Sequence, residues 1–186
     1  QETIEREKCK FEYRNSIFKS KNYIILKVNF IFHKRFEPNL SYPALANYLI
    51  HNSIDRKSLT PQLLSESIKN IRNSRLPDLK LEPNVGSIFK NPLVKTNDLD
   101  RNFLIGHRWE QDNGMTKLSA ARLIELIKHE LSIPETLRIY EHHSLVLINN
   151  GKASFDDVKN LLDQIRIKIF NKFNIKLEIE PEIISS

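Results

Sequence analysis

The stretch SLVLINNGKASFDDVKNLLDQIRIKIFNKFNIKLEI, residues 144–179, carries the strongest indication of fold class in this chain. Its first six residues form an apolar run of the length and composition typical of a strand. An Asn-Asn-Gly turn follows, and Ser154 with Asp157 three positions later has the spacing of a capping box that begins a helix. A second strand is predicted from Leu177. The strand–helix–strand order favours an α+β fold in α/β layers, with the helix packed across a sheet.

Two helices are predicted in the C-terminal half. The helix after Ser154 has an apolar stripe made of Val158, Leu161, Leu162, Ile165 and Ile169. Spacings of three and four residues place this stripe on one face, which a sheet can bury. A second helix is predicted for residues 116–131, with Leu118 and Ile124 on its buried face. Lys117 then lies near the helix N-terminus, where a cation is unfavourable unless an anion binds nearby.

The N-terminal part combines one predicted strand with two predicted helices. The apolar positions that alternate within residues 23–32 are Leu26, Val28, Phe30 and Phe32. This period of two predicts a half-buried strand. Two closely spaced prolines predict a loop that exposes Tyr42 and leads to a short helix at residues 44–50. Thr60 and Pro61 have the pattern of an N-cap and a first helical position.

Composition limits the class of protein. A chain of 186 residues with 40% hydrophobic content can bury a core of one domain or somewhat more. No apolar run is long enough to cross a bilayer, and the charged first residues lack the apolar centre of a signal peptide, so we expect a cytoplasmic protein without membrane contact. The single cysteine, Cys9, cannot form an internal disulfide, and with six scattered histidines we expect no metal site.

A formal net charge of +6 suggests an anionic partner. One alternative is nucleic acid, because residues 8–23 alternate basic and aromatic side chains. The basic members are Lys8, Lys10, Arg14, Lys19 and Lys21, and the aromatic members are Phe11, Tyr13, Phe18 and Tyr23. Such a segment could supply phosphate contacts and stacking surfaces. The other alternative is a small diphosphate ligand such as a UDP-sugar. Charge alone selects neither.

The segment Asn84 to Pro92, NVGSIFKNP, is the best candidate for a chemical site. Gly86 permits a positive φ or a close backbone approach to a ligand, and Asn91-Pro92 is typical of a turn. Between them, Ser87 can donate a proton and Lys90 can bind an anion.

This segment and several others resemble the UDP-N-acetylenolpyruvoylglucosamine reductase family, in the family's order. The matching segments are Cys9 to Lys19 with its Tyr13-Arg14-Asn15-Ser16-Ile17-Phe18 motif, Leu40-Ser41-Tyr42, Arg75-Leu76-Pro77-Asp78, Gly86 to Pro92, Lys117-Leu118-Ser119-Ala120-Ala121, His143 to Asn149, and Leu177 to Ile183 with Glu180-Pro181-Glu182. Together they span nearly the whole chain. The resemblance implies a flavoenzyme in which NADPH reduces FAD, and the flavin then reduces UDP-N-acetylglucosamine enolpyruvate to UDP-N-acetylmuramate, a peptidoglycan precursor.

The resemblance also implies roles for individual residues. Ser87 would be the general acid that protonates C2 of the enolpyruvyl group, while Arg14 and Glu182 would stabilise charge on its carboxylate. Five further residues are implied as substrate contacts: Tyr42, Arg75, Lys90, Asn91 and Lys117. Arg75 and Trp109 stand where the family usually has Lys and Tyr, so particular contacts differ. The residues that bind FAD are not identified by the resemblance.

The assignment of the acid to Glu182 depends on the resemblance alone. A period of two places Glu178, Glu180 and Glu182 on one face of the closing strand, and this periodicity does not choose among them. The second glutamate of the family's Glu-Pro-Glu is catalytic, and Glu182 occupies that position.

The predicted organisation is that of a partial enzyme. Residues 1–76 are expected to complete an FAD-binding domain that includes the substrate loop. Residues 77–178 are expected to form an α+β substrate-binding domain, and residues 179–186 a tail that carries the catalytic Glu182. With four glycines the chain has no glycine-rich loop for the flavin pyrophosphate, so the main partner is expected to be a separate N-terminal FAD-binding segment. The alternatives are a nucleic-acid-binding module, which we consider unlikely, and a non-catalytic remnant of the reductase.

Overall fold

The computed structural model describes residues 1–19 and 23–184, so Lys21 of the basic and aromatic segment lies outside the described residues. The chain consists of two compact units, Gln1–Ile71 and Arg72–Ser186. Helices accompany small antiparallel sheets, which confirms the predicted α+β class. The domain limits at residues 76 and 178 stay predictions.

The regular elements described in the first unit are helices and 3-10 turns. Short 3-10 turns at Arg6–Cys9, Ile17–Lys19 and Arg56–Ser58 accompany helices α1, Pro43–His51, and α2, Pro61–Asn73. As predicted, Pro61 begins α2, and the Thr60 hydroxyl accepts a hydrogen bond from the Leu63 amide at 3.1 Å. The small core of this unit consists of Leu45, Leu49, Leu59 and Ile71.

The strand predicted for residues 23–32 is wrong. This segment has no strand assignment, and its apolar side chains are exposed, with Leu26 at 71% and Phe30 at 72% of their accessible surface. A strand needs a neighbouring strand for its backbone hydrogen bonds, and the described residues pair none with this segment. The alternating pattern therefore describes a segment with the side-chain period of a strand and without a pairing strand among the described residues.

Residues 72–184 of the second unit form two antiparallel sheets and two helices. In the first sheet, β1 (Leu93–Lys95) and β2 (Arg108–Glu110) flank β3 (Met115–Leu118). In the second, β4 (Leu137–Ile139) pairs with β5 (Leu147–Asn149). Helix α3 spans Ala120–Ile127, helix α4 spans Phe155–Phe173, and short 3-10 turns lie at Thr96–Asp98 and Lys128–Glu130.

Helix α4 confirms the predicted capping box and apolar stripe. The Ser154 hydroxyl accepts from the Asp157 amide at 3.1 Å, and the Asp157 carboxylate accepts from the Ser154 amide at 2.8 Å. The hydrogen bonds that the Asp157 carboxylate accepts from the Ser154 amide and from the Ser154 hydroxyl lower its pKa. Four stripe residues are buried: Leu161, Leu162, Ile165 and Ile169. The helix ends at Asn174, which has the left-handed conformation common at helix C-termini.

The helix predicted for residues 116–131 begins later, at Ala120. Residues 115–118 instead form the central strand β3, which buries Thr116 and Leu118 on one face. The Asn91 side-chain oxygen accepts from the Ala120 amide at 3.0 Å, and Ser119 caps the helix. Lys117 therefore lies on a strand, and the predicted conflict between its charge and a helix dipole does not arise.

The strands predicted at residues 144–149 and from Leu177 are shorter than expected. Only Leu147–Asn149 of the first is a regular strand, and the second is reduced to an isolated bridge between Ile179 and Phe89. The second unit's main core is nevertheless continuous, because Phe89, β-strand residues and both helices contribute to one cluster. Its fully buried members include Phe89, Leu118, Leu123, Ile124, Ile127, Leu161, Ile165 and Ile169.

We call residues 84–92 the serine segment. Within it, Phe89 contributes most to this core, since none of its surface is accessible. We expect Phe89→Ala to lower the free energy of unfolding by about 3–5 kcal/mol, because it leaves a large cavity. Urea denaturation followed by circular dichroism measures this loss. Phe155→Ala, at an exposed position, is the matched control and should change stability by no more than about 0.5 kcal/mol. Equal losses in the two variants would contradict the assignment of this core.

None of the helices in the part of the chain that the structure describes combines the length and hydropathy that a membrane crossing requires.

Candidate functional site

The turn before Ser87 is held by local hydrogen bonds. The Asn84 side-chain oxygen accepts from the Gly86 amide at 2.9 Å, while its amide nitrogen donates to the Glu82 carbonyl at 2.8 Å. Gly86 has φ +78°, a conformation that strains residues with a side chain. The sequence therefore uses glycine where the chain must turn into the serine segment. The half-buried Ser87 follows immediately.

The serine segment runs between two other pieces of the chain. On one side, Ser87 bridges Val146, and the Ile88 amide donates to the Leu145 carbonyl at 2.9 Å. On the other side, the Lys90 amide donates to the Glu178 carbonyl at 2.9 Å, and the Ile88 carbonyl accepts from the Glu180 amide at 3.1 Å. Backbone hydrogen bonds on both sides hold the serine at a defined position.

The closing segment, residues 177–183, contains three glutamates that differ in their environment. Glu178 is exposed and forms an ion pair with the Lys90 ammonium. Glu180 is half-buried, and its backbone is bonded to Ile88, the residue after the serine. Glu182 lies two residues beyond the last backbone hydrogen bond that the described residues make between these segments, and it is exposed. The bridge pairs Phe89 with Ile179, so Glu180 lies opposite Ile88 and its side chain is on the other face of the pair from Ser87. The role of Glu182 stays a prediction.

Lys90 was predicted as an anion contact, and its ion pair with Glu178 was missed. The two residues are 88 positions apart, so no local sequence signal indicates the pair. Only the register of the closing segment, which was not known from the sequence, could have suggested it. The side chain of Lys90 is largely buried and that of Glu178 mostly exposed, so the pair orients the lysine at modest energetic benefit.

Asn91 is part of the serine segment, and Lys117 pairs with Leu93, the first residue after it. The Asn91 oxygen is used by Ala120, which leaves the amide NH₂ of Asn91 as its group for a ligand. Lys117 lies in the centre of the first sheet, directly opposite Leu93 on β1 and Trp109 on β2. Its ammonium is 5.7 Å from the centre of the Trp109 ring, within the range of a cation–π interaction.

Arg75 lies in the second unit, near a polar cluster that the sequence did not reveal. Leu145, which bonds to Ile88, donates its amide to His143 Nδ1 at 3.3 Å, and the Ser144 hydroxyl bonds to Glu125 at 3.2 Å. Burial lowers the pKa of His143, and the positive charge of Arg75 lowers it further, while Glu125 opposes this. By accepting from the Leu145 amide, the His143 ring holds the turn before β5.

A pH dependence of stability follows from His143. Because folding lowers its pKa below the ordinary value of 6.5, the unfolded chain binds this proton at a higher pH than the folded chain. The contribution to stability is complete above that value and is lost as the pH falls through it towards the folded pKa. We expect the urea midpoint to decrease on acidification from about pH 7 to pH 5, and the decrease to be smaller in His143→Gln. His142→Gln, a change at the exposed neighbour, is the control; an identical decrease in both variants would contradict this role.

Arg14 and Tyr42 belong to the first unit. Arg14 lies in a turn closed by hydrogen bonds between Glu12 and Asn15, and it has φ +53°, which is uncommon for a residue with a side chain. Tyr42 is exposed immediately before α1, as predicted from the prolines around it. Arg14 and Tyr42 therefore lie in the first unit, and the other six predicted site residues lie in the second: Arg75, Ser87, Lys90, Asn91, Lys117 and Glu182.

The second unit is an α+β domain that presents a serine, a lysine and an amide along one segment. The sequence model of the family "UDP-N-acetylenolpyruvoylglucosamine reductase, C-terminal domain" matches residues 77–184. This match covers more than half of the chain, and the chain belongs to that family. The family predicted from the motifs is confirmed.

Full-length relatives extend the likeness to the first unit. The chain is similar to UDP-N-acetylenolpyruvoylglucosamine reductase of Neisseria gonorrhoeae, with 35% identity over 96% of this chain and 53% of the relative. It is 34% identical to the enzyme of that name from Photorhabdus laumondii, over 96% of this chain and 52% of the relative. With the Buchnera aphidicola protein of that name it shares 35% identity over 98% of this chain and 51% of the relative. The chain spans about half the length of these relatives.

Proposed function

We propose that this chain supplies the substrate-binding and proton-donating part of a cytoplasmic flavin-dependent reductase. The reaction is the NADPH- and FAD-dependent reduction of UDP-N-acetylglucosamine enolpyruvate to UDP-N-acetylmuramate, a step of peptidoglycan precursor synthesis. The observation that carries the proposal is the position of Ser87, half-buried on a segment bonded on both sides and followed by Lys90 and Asn91. Family membership and the names of the relatives support it.

The residues of this chain do not fit the pyrophosphate of FAD. The four glycines of the sequence are all among the described residues, each with positive φ in a separate turn, and they form no glycine-rich loop. In this proposal FAD is held mainly by another segment, and the chain alone binds it weakly or not at all. When bound there, FAD supplies the hydride for the enolpyruvyl group.

In this proposal, the residues of this chain stabilise developing negative charge and donate one proton. Addition of hydride to a double bond that is conjugated with a carboxylate shifts negative charge onto that carboxylate. A fixed cation and a hydrogen-bonding acid beside it therefore lower the barrier. Arg14 is the proposed cation. Ser87 donates its proton to C2, because this carbon of an enolate-like intermediate is basic enough to accept it. Tyr42, Arg75, Lys90, Asn91 and Lys117 are the proposed contacts for diphosphate, uridine and carboxylate.

Two residues are candidates for the acid. The motif resemblance assigns it to Glu182. Glu180 is supported by its half-buried side chain and by its backbone hydrogen bond to Ile88. We propose Glu182, as the resemblance implies, because the pairing with Ile88 puts the Glu180 side chain on the other face of the pair from Ser87.

The FAD-binding segment is the proposed partner of the exposed segment at residues 23–32. The apolar side chains of this segment have a period of two, and adding it to the edge of a sheet would bury them and satisfy the backbone. We expect the double variant Leu26→Lys and Phe30→Lys to abolish stable association with such a segment. The measurement is FAD retained after co-expression and gel filtration. Leu79→Lys, at another exposed apolar position, should retain FAD, and retention by the double variant would contradict the pairing.

Complementation tests the function itself. This chain is co-expressed with the N-terminal half of the Neisseria gonorrhoeae relative, and NADPH oxidation is followed with and without UDP-N-acetylglucosamine enolpyruvate. We expect oxidation that depends on the substrate and on both halves. A flavin-loaded complex that oxidises NADPH at the same rate without substrate would contradict the proposal. The comparisons do not favour the nucleic-acid alternative.

A further inference from the structure

Two turns of the second unit contain the dipeptide Asn-Gly, which favours loss of side-chain ammonia because glycine has no side chain to hinder attack by its own nitrogen. Asn113-Gly114 lies between β2 and β3, and Asn150-Gly151 lies after β5. In both turns the asparagine is exposed and the glycine has a positive φ, +72° for Gly114 and +88° for Gly151. Local sequence, exposure and backbone conformation therefore do not distinguish the two asparagines.

Deamidation requires movement of two groups in such a turn. The glycine nitrogen attacks Cγ of the asparagine side chain, and the amide NH₂ leaves as ammonia with the proton of the glycine N–H, which closes a succinimide ring. Water then opens the ring at either carbonyl and gives aspartate or isoaspartate. Hydrogen bonds that hold the side-chain amide or the glycine nitrogen must break before the ring can close.

Asn150 is held at both ends of its side-chain amide. The amide nitrogen donates to the Glu135 carbonyl at 3.1 Å, and the oxygen accepts from the Lys152 amide at 3.2 Å. The Gly151 nitrogen donates to the side-chain oxygen of Asn149 at 2.8 Å. The leaving group and the attacking atom are therefore both engaged in this turn.

Asn113 is held at one end only. Its oxygen accepts from the Met115 amide at 3.2 Å, and within residues 1–19 and 23–184 no group accepts a hydrogen bond from its amide nitrogen. The Gly114 nitrogen donates to the Gln111 carbonyl at 3.3 Å, which is longer than the usual range for such a bond. The leaving group and the attacking nitrogen are therefore less restrained than in the turn after β5.

We propose that Asn113 is a site of spontaneous deamidation and that hydrogen bonds protect Asn150 from the same reaction. The inference does not depend on the proposed function. Isoaspartate in the turn between β2 and β3 adds a methylene group to the backbone of that turn. Loop length fixes the register of a hairpin, here the pairing of Glu110 with the fully buried Thr116. The isoaspartyl form is therefore expected to be less stable than the parent chain.

Peptide mapping by mass spectrometry follows both sites in one sample of the full chain, kept folded in mildly alkaline buffer. Digestion in heavy-oxygen water excludes deamidation during sample preparation. We expect Asn113 to deamidate at least about tenfold faster than Asn150, because fewer hydrogen bonds must break. In urea the two rates should become similar, since both turns are then unfolded. Equal rates in the folded chain, a faster rate at Asn150, or an unmodified Asn113 after an incubation that modifies it in urea would overturn the proposal.

Substitutions test the cause of the difference. Asn113→Gln should abolish deamidation at this position, because glutamine would have to close a larger and less favourable ring, while Asn150→Gln is the matched control and should leave the rate at Asn113 unchanged. Asn149→Ala removes the acceptor of the Gly151 nitrogen and should raise the rate at Asn150. An unchanged rate at Asn150 in a chain that circular dichroism shows to be folded would contradict this protection.

The effect on the hairpin is measured on the separated isoaspartyl form. An isoaspartyl methyltransferase identifies this form by labelling it, and chromatography separates it from the parent chain. Its urea midpoint should be lower than that of the parent, whereas Asn113→Asp, which keeps the normal backbone, should lower the midpoint less. Equal midpoints for the isoaspartyl form and the parent would refute the effect on the hairpin.

Discussion

Replacing Ser87 with alanine in the assembled, FAD-containing enzyme is expected to slow formation of UDP-N-acetylmuramate by about 100- to 10,000-fold, the range for loss of a general acid. NADPH oxidation in the flavin-reducing half-reaction should keep its rate, because the proton is needed only after hydride has reached the substrate. The position of the serine between Val146 and the Glu178–Glu180 segment makes this a local change, since the backbone hydrogen bonds are unaffected.

Stopped-flow absorbance separates the two half-reactions of the Ser87→Ala enzyme. Flavin reduction by NADPH is measured first, and flavin reoxidation by the enolpyruvyl substrate second, with product quantified by chromatography. Ser65→Ala, an exposed serine on α2, is the matched control and should match the parent enzyme in both steps. Unchanged product formation in Ser87→Ala would remove the serine from the mechanism.

Glutamine substitutions at Glu180 and Glu182 should have very different effects. We expect Glu182→Gln to lower kcat by about 100- to 1000-fold, the range for loss of one preorganised hydrogen-bonding group at a developing charge. The KM should change little, because the carboxyl group acts in the transition state more than in binding. Glu180→Gln should stay within about threefold of the parent, since the pairing of Phe89 with Ile179 puts its side chain on the other face from Ser87.

Steady-state kinetics of the two variants decides between the positions. Glutamine preserves side-chain size, so each change removes the acid without opening a cavity, and Glu178→Gln serves as a control for the third carboxylate of the segment. A large loss in Glu180→Gln with a nearly normal Glu182→Gln would overturn the assignment made from the Glu-Pro-Glu motif. Losses of equal size would contradict the distinction drawn from the backbone pairing.

Features set by neighbouring residues were predictable from the sequence. The capping box of α4 joins residues three positions apart, and its stripe repeats every three or four residues, so both signals lie within one helix. The position of Pro61 in α2 and the exposure of Tyr42 are local in the same sense. The glycine-serine segment also stood out, because a turn, a hydroxyl and a cation occur within nine residues.

Features set by distant contacts were not predictable. The start of α3 depends on Asn91, which bonds to Ala120 across 29 positions. The apolar spacing at residues 116–131 fits a helix, yet pairing of residues 115–118 with two strands prevails. The segment at residues 23–32 has the pattern of a strand without a partner among the described residues. The alternating pattern is typical of a strand, but it does not indicate which other strand this segment would pair with.

Calorimetric titration of the folded chain with UDP-N-acetylglucosamine enolpyruvate tests the central claim most directly, with circular dichroism to verify folding and an RNA oligomer as the competing ligand. The account predicts saturable binding of the UDP-sugar that RNA does not displace, weakened by Lys117→Met and unchanged by Lys152→Met. A folded chain that ignores the UDP-sugar and binds RNA in a salt-sensitive manner would contradict it.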